Sequence, residues 1–240
     1  MTKETPSSHN FSIEELIDQF SKGSERKRKS LIPLLERRAK EIAEFGSIAL
    51  SSFDPAGDDW GAGWILQLLN RYSGQVIESL IANNSSGWFT SPSSREIDYE
   101  PFQEFLLKED FEEADRFTSA TLRKLAGVEA ENRGYVYFTE VDSIPVLDLT
   151  TIDRLWKVYS QGKFGFTRQA KLLKALDGNY ERLWPRIGWK KDGIWTRYPS
   201  AFTWSLEAPD GHMPLVNQLR GVRLMHALLN HPAYSSERSE

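Results

Sequence analysis

The sequence predicts an all-α protein, and three observations carry that reading. Apolar residues recur three and four apart in segment after segment, the spacing that gathers them on one face of a helix. Residues that cap helix starts stand before several of these segments, and glycine stands after them. Alternation with period two is scarce; Tyr135–Val141 is the best strand candidate, and it is short.

The first helix begins at Ser12, with Glu15 at capping-box spacing, and carries Leu16, Ile17 and Phe20 on one face before Gly23. The run Glu25-Arg26-Lys27-Arg28-Lys29 opens a longer helix holding Leu31, Leu34, Leu35, Ile42 and Phe45. Trp60, Trp64, Leu68 and Leu69 indicate a third helix, and Val76, Ile77, Leu80 and Ile81 a fourth. Together they predict an amino-terminal helical bundle within residues 1–90. Asn83–Ser94, rich in Ser, Asn, Gly and Pro, is expected to be a linker. A second domain is expected over 97–232, with a short tail at 233–240.

Within that domain Tyr99–Lys108 suits a helix, and Asp110 suits the cap of the next, whose Phe111, Ala114, Leu122 and Leu125 form a stripe ending at Gly127. Thr150 and Asp153 have cap spacing ahead of Ile152, Leu155, Trp156 and Tyr159. Another helix is expected from about Thr167 to Leu176. The last is expected from Pro214, a favourable first-turn residue, to Asn230, with His231-Pro232 stopping it.

Composition narrows the function. The hydrophobic fraction of 40% and charged fraction of 27% are those of an ordinary soluble domain. A net charge of −4 argues against a dedicated nucleic-acid binder. The absence of cysteine removes disulfides, thiolate metal sites and thiol nucleophiles. No run approaches the ~20 apolar residues of a membrane span, and residues 1–10 lack the character of a signal or transit peptide. The expected setting is the cytoplasm of a bacterium. His9, His212, His226 and His231 form no triad or metal spacing, and Glu112, Glu113 and Asp115 look like ordinary first-turn acids. No enzymatic constellation stands out.

Two features suggest a ligand surface. Gly188–Pro214 has no clear periodicity but holds Trp189, Trp195, Tyr198, Phe202 and Trp204, too many aromatics for a disordered loop. With Arg186, Lys190, Lys191 and Arg197 between them, they suit a flat, apolar, anionic partner; Trp189 and Trp204 are the first candidates for a core role instead. In the last helix Asn217, Arg220 and Arg223 form a polar stripe beside Leu215, Leu219, Val222 and Leu228, with Gly221 in its middle. Guanidinium groups match carboxylates, although a solvated helix face explains the stripe equally well. Between them, Ser160–Phe166 has two glycines around Phe164 and suits a tight helix corner packed by Phe164 and Phe166 better than a phosphate loop.

Several motifs stand in order along the chain: Tyr137-Phe-Thr-Glu-Val141, Asp148-Leu-Thr-Thr-Ile-Asp153 with Leu155-Trp156, Gly162-Lys-Phe-Gly-Phe166 with Gln169, Ile187-Gly-Trp189, Trp195, Ala208-Pro-Asp-Gly-His-Met-Pro214 and Asn217-Gln-Leu-Arg-Gly-Val-Arg223. Jointly they resemble the Genomes-uncoupled-four family over about 97–232, and cyanobacterial members carry an extra amino-terminal bundle of this kind.

The resemblance implies a helical, cupped-hand domain with an apolar palm that binds protoporphyrin IX and Mg-protoporphyrin IX as ligands. It implies a non-enzymatic activator of magnesium chelatase in chlorophyll biosynthesis, acting through the chelatase's large porphyrin-binding H subunit. Phe138, Trp195, Phe202, Asn217, Arg220 and Arg223 fall on matching family positions. Phe164, Phe166, Arg197, Tyr198, His212 and Met213 complete the porphyrin-binding candidates, without axial ligation by His212 or Met213. At Tyr198 many relatives place Trp, a departure that leaves metal-porphyrin preference and affinity open. Residues 235–240 are too short for the phosphorylated tail of plant members, so that regulation is not expected. A monomer is expected, with the bundle left to dock the chelatase, touch the thylakoid or plasma membrane, or stabilise the core. The rival reading from the residues is a tetrapyrrole-sensing adaptor without chelatase activation; a single-stranded nucleic-acid binder and an enzyme follow.

Overall fold

The computed structural model describes residues 11–81, 87–216 and 222–234. Within them the regular secondary structure is helical, apart from one two-stranded hairpin. No helix among the described residues is long and apolar enough to cross a membrane.

The first stretch follows the expected pattern. Helix α1 (Ile13–Lys22) has the capping box: Ser12 Oγ accepts from the Glu15 N–H, and Glu15 accepts from the Ser12 N–H. Such a cap is worth about 1 kcal/mol. The long second helix is instead two, α2 (Glu25–Arg37) and α3 (Ala39–Phe45), broken at Arg38. Helix α4 (Trp60–Tyr72) is capped by Asp59 and almost wholly buried, and α5 (Gly74–Ile81) follows.

One interior runs from the bundle into the rest of the chain. Helix α4 lies on α9 (Val146–Tyr159) and on α6 (Glu100–Leu107). At Gly63 a β-carbon would stand 2.2 Å from the Val158 carbonyl oxygen, so only glycine permits this approach. Gln67, fully buried, donates through Nε2 to the Leu106 oxygen at 2.9 Å and the Tyr159 oxygen at 2.8 Å, satisfying carbonyls at the carboxyl ends of α6 and α9.

Residues 87–94, expected to be a linker, are pinned down. Trp88 and Phe89 are buried, Gln103 brackets Phe89 from both sides of its backbone, and Asp148 accepts from Ser93, Ser94 and Tyr99. Arg154 donates to the carbonyls of Pro55, Gly57 and Thr90, joining the α3–α4 connection to this segment.

Helix α7 (Phe111–Ala126) is capped by Asp110 and ends at Gly127 as expected, and the short α8 (Val128–Arg133) follows. The strand candidate Tyr135–Val141 is not a strand: Phe138–Ser143 is a 3₁₀ turn, held at Tyr137 and Arg133 by Glu140. Helix α9 begins at Val146, before the expected cap. Thr150 sits inside it and donates to the Val146 oxygen, while Asp153 reaches α10 (Phe166–Ala175) and accepts from the Thr167 N–H at 2.9 Å. Asp153 thus caps a helix from across the interior. Phe164 and Phe166 pack the tight corner as expected. A seven-residue α11 (Tyr180–Arg186) leads into the hairpin β1 (Lys190–Lys191) and β2 (Ile194–Trp195), turned by Asp192 and Gly193 at φ 50° and 80°.

Pro214 does not open the last helix. Residues 211–215 form a strap threaded through the interior: the Gly211 N–H bonds the Lys163 oxygen, the Gly165 N–H the Met213 oxygen, Gln169 Nε2 the oxygens of Gly211 and Pro214, and Asp115 takes the Leu215 N–H. Backbone groups committed outward in this way cannot form a first helical turn. Among the described residues the last α-helix is α12 (Val222–Leu229). Tyr234, assigned to the tail from the sequence, is buried against Phe166.

Candidate functional site

The site is a cavity of about 660 Å³ between α7, the turn after α8, the hairpin and α12. Helix α7 contributes Asp115, Ser119, Leu122 and Arg123, four residues on one helical face. Val136 and Ile144 close a second side, and Leu215, Val216, Leu224 and Leu228 a third. The hairpin delivers Trp195, and the loop after it delivers Arg197 and Tyr198. The wall therefore combines aliphatic side chains with the Trp195 indole and the phenols of Tyr135 and Tyr198, and two guanidinium-bearing side chains belong to its lining.

The hairpin is held by stacked indoles. Trp189 is enclosed, stacks on Trp184 with centroids 5.7 Å apart, and donates its Nε1–H to the His212 oxygen at 2.8 Å. Trp195 leans on Trp184 at 5.5 Å and carries the Lys190 ammonium over its face at 5.3 Å. Tyr198, 49% exposed, makes edge contacts with Phe202 and Trp204 and faces the Arg116 guanidinium. Burial pushes its hydroxyl above the ordinary phenol range.

The candidates named from the sequence separate into groups. Trp195, Arg197 and Tyr198 line the cavity. Phe138 lies outside the lining, 41% exposed, with the Arg223 guanidinium 5.4 Å from its ring centroid. Phe164 and Phe166 are enclosed in the interior and offer no face to a ligand; packing the α9–α10 corner leaves their rings no free side. Met213 and His212 are turned inward by the bonds of the strap. His212 Nδ1 pairs with the Ile187 oxygen at 2.6 Å, and burial lowers its pKa. Phe202 is buried beneath Tyr198, 5.1 Å from the His212 ring, and Trp204 is half-buried beside it. Val222, expected on the apolar face, is 39% exposed. Asn217, Leu219, Arg220 and Gly221 lie outside the described residues. Among the described residues, no group of three His, Asp or Glu side chains could hold a metal ion.

Asp115 is the residue that the sequence reading missed. It is 1% exposed, and its Oδ1 accepts from the Leu215 N–H at 2.6 Å. Burial pushes its carboxyl up to about 7 and Glu112 adds to this, while the Leu215 N–H and Arg116 act in the other direction. The signal was its position four residues after Phe111, on the apolar stripe.

Residues 92–232 match the family described as GUN4-like. The chain belongs to this family. A Ycf53-like protein of Synechocystis is 40% identical over 229 residues, covering 93% of this chain and 97% of its own length. The chloroplastic tetrapyrrole-binding protein of Arabidopsis thaliana is 34% identical over 147 residues, covering 58% of this chain and 56% of its own. Among solved structures, GUN4 from Chlamydomonas reinhardtii is 38% identical with a TM-score of 0.57, covering 60% of this chain and 93% of that one. The matched stretch of this GUN4-family chain contains every residue of the cavity lining.

Proposed function

We propose that the cavity binds protoporphyrin IX and Mg-protoporphyrin IX, and that the protein carries them to magnesium chelatase and activates it through the large porphyrin-binding subunit. The observation that carries this reading is the combination of a sizeable aliphatic concavity with Arg123 and Arg197 in its lining. About 660 Å³ lies within the roughly 300–1,000 Å³ usual for small-molecule sites. A macrocycle needs apolar walls, supplied by Leu122, Val136, Ile144, Leu215 and Leu228, and an aromatic face, supplied by Trp195. Its carboxylate arms need cations, and a charge-assisted bond is worth about 1.5–3 kcal/mol when water is excluded. The relative described as a tetrapyrrole-binding protein supports the ligand class. Asn217 and Arg220 join the proposed site from the family resemblance.

The protein's role in this scheme is delivery. The cavity shields an aggregation-prone ring from water and gives it up at the chelatase, so no covalent step falls to its side chains. Titrating protoporphyrin IX while following tryptophan fluorescence tests the binding: saturable quenching is expected, and its absence from folded protein contradicts the proposal. A chelatase assay tests the second half. Binding without a rise in turnover replaces the activator role with that of a tetrapyrrole-sensing adaptor.

A further inference from the structure

Asp115 places a carboxyl group in the wall of a cavity that otherwise suits an anionic, apolar ligand. Its side chain is almost fully enclosed, and it accepts a hydrogen bond from a neutral donor, the Leu215 N–H of the strap. Burial of this kind disfavours the charged form. Among the described residues, the ionisable groups that face it are Glu112, one turn before it on α7, the adjacent Arg116, and the Tyr198 hydroxyl on the loop across the cavity. Arg116 does little to neutralise it, because that guanidinium is solvent-facing and divided between Glu112 and Glu113, each at 2.5 Å. The balance leaves the carboxyl titrating near neutrality before any ligand enters.

A ligand that fills the cavity changes that balance in one direction. Its negative charge, held against a carboxyl already out of solvent, opposes ionisation further. We propose that Asp115 makes ligand uptake at this cavity proton-linked: an anionic ligand enters together with one proton on Asp115, and loss of that proton drives release. The proton comes from solvent and returns to it, and no bond of the ligand is made or broken. The Leu215 N–H has an oxygen to bond in both protonation states, so the strap stays in place while the charge changes. This inference rests on the tetrapyrrole reading of the cavity.

The test is tryptophan quenching by protoporphyrin IX between pH 6 and 8.5, on the full chain and on Asp115→Asn. The amide keeps an acceptor for Leu215 and removes the titrating proton, and measuring both proteins with the same ligand cancels the ligand's own ionisation. The expected result is an affinity that falls on the order of thirtyfold across this range in the unaltered protein, with a flat profile in the variant at the level seen at pH 6. Equal pH slopes in the two proteins overturn the proposal. Calorimetry of the unaltered protein at pH 8, in two buffers of different ionisation enthalpy, needs no variant: uptake of about one proton per ligand is expected, and none overturns the proposal. Saturable binding with no proton linkage leaves the tetrapyrrole reading intact. No saturable quenching at pH 6 overturns that reading and this proposal with it.

Discussion

Asp115 has a consequence for stability as well as for binding. Its folded pKa, about 7, stands above its ordinary value of about 4. Between those two values the unfolded chain gives up a proton that the folded chain keeps, so stability falls as pH rises from about 4 to about 7 and stays reduced above that. Asp115→Asn is therefore expected to raise the melting temperature at pH 8 by several degrees and to leave it nearly unchanged at pH 4. A shift of equal size at both pH values contradicts the assignment. In the sequence Asp115 reads as an ordinary first-turn acid, although it stands among Phe111, Ala114 and Leu122 on the buried stripe of α7. Acids are so common in first turns that its place on the apolar stripe is easily passed over. Trp195, Arg197 and Tyr198 were legible because a run of aromatics and cations without periodicity has few structural explanations. Phe164, Phe166, Met213 and His212 were harder to place. Their chemistry suits a greasy palm or a core equally, and only the course of the strap decides between them.

Helices were most legible where period and caps agreed. Helices α1, α4 and α7 meet that condition, each with a side-chain cap and an apolar face. Helix α9 does not: it starts after Pro145 without a side-chain cap, and the cap-like Asp153 belongs to α10, fourteen residues later. The six-residue α8 and seven-residue α11 are too short for a period to show. The hairpin had a readable signal in Asp192-Gly193, the pair that favours a tight β-turn. The α4–α9 crossing depends on a glycine whose role no periodicity reveals. Gly63→Ala forces a β-carbon onto the Val158 carbonyl and is expected to cost about 1–3 kcal/mol, read by urea denaturation. No loss of stability means that the two helices lie farther apart than described.

The amino-terminal helices pack onto the cavity-bearing part through α4. Helix α4 covers α9, and Gln67 ties it to the ends of α6 and α9. Composition suggests a division into bundle, linker and core, and gives no sign of the contacts across 39 and 92 residues that join α4 to the rest. A fragment of residues 95–240 uncovers the α4-facing side of α9 and is expected to melt at least about 5 °C below the full chain. Equal melting temperatures mean that the bundle contributes nothing to the core's stability. The cavity itself is lined from α7, the turn after α8, the hairpin loop and α12, with no residue of α4 or α9 in its lining. The account of function stands on this cavity being where the ligand sits. Ser119, half-buried in its α7 wall, gives a way to obstruct it with little disturbance elsewhere. The decisive measurement is the dissociation constant of protoporphyrin IX for Ser119→Phe against the unaltered protein, both followed by the absorbance change of the porphyrin. Occupation of the cavity predicts binding weakened at least about tenfold, a loss of about 1.4 kcal/mol, with the melting temperature preserved; an unchanged constant contradicts it.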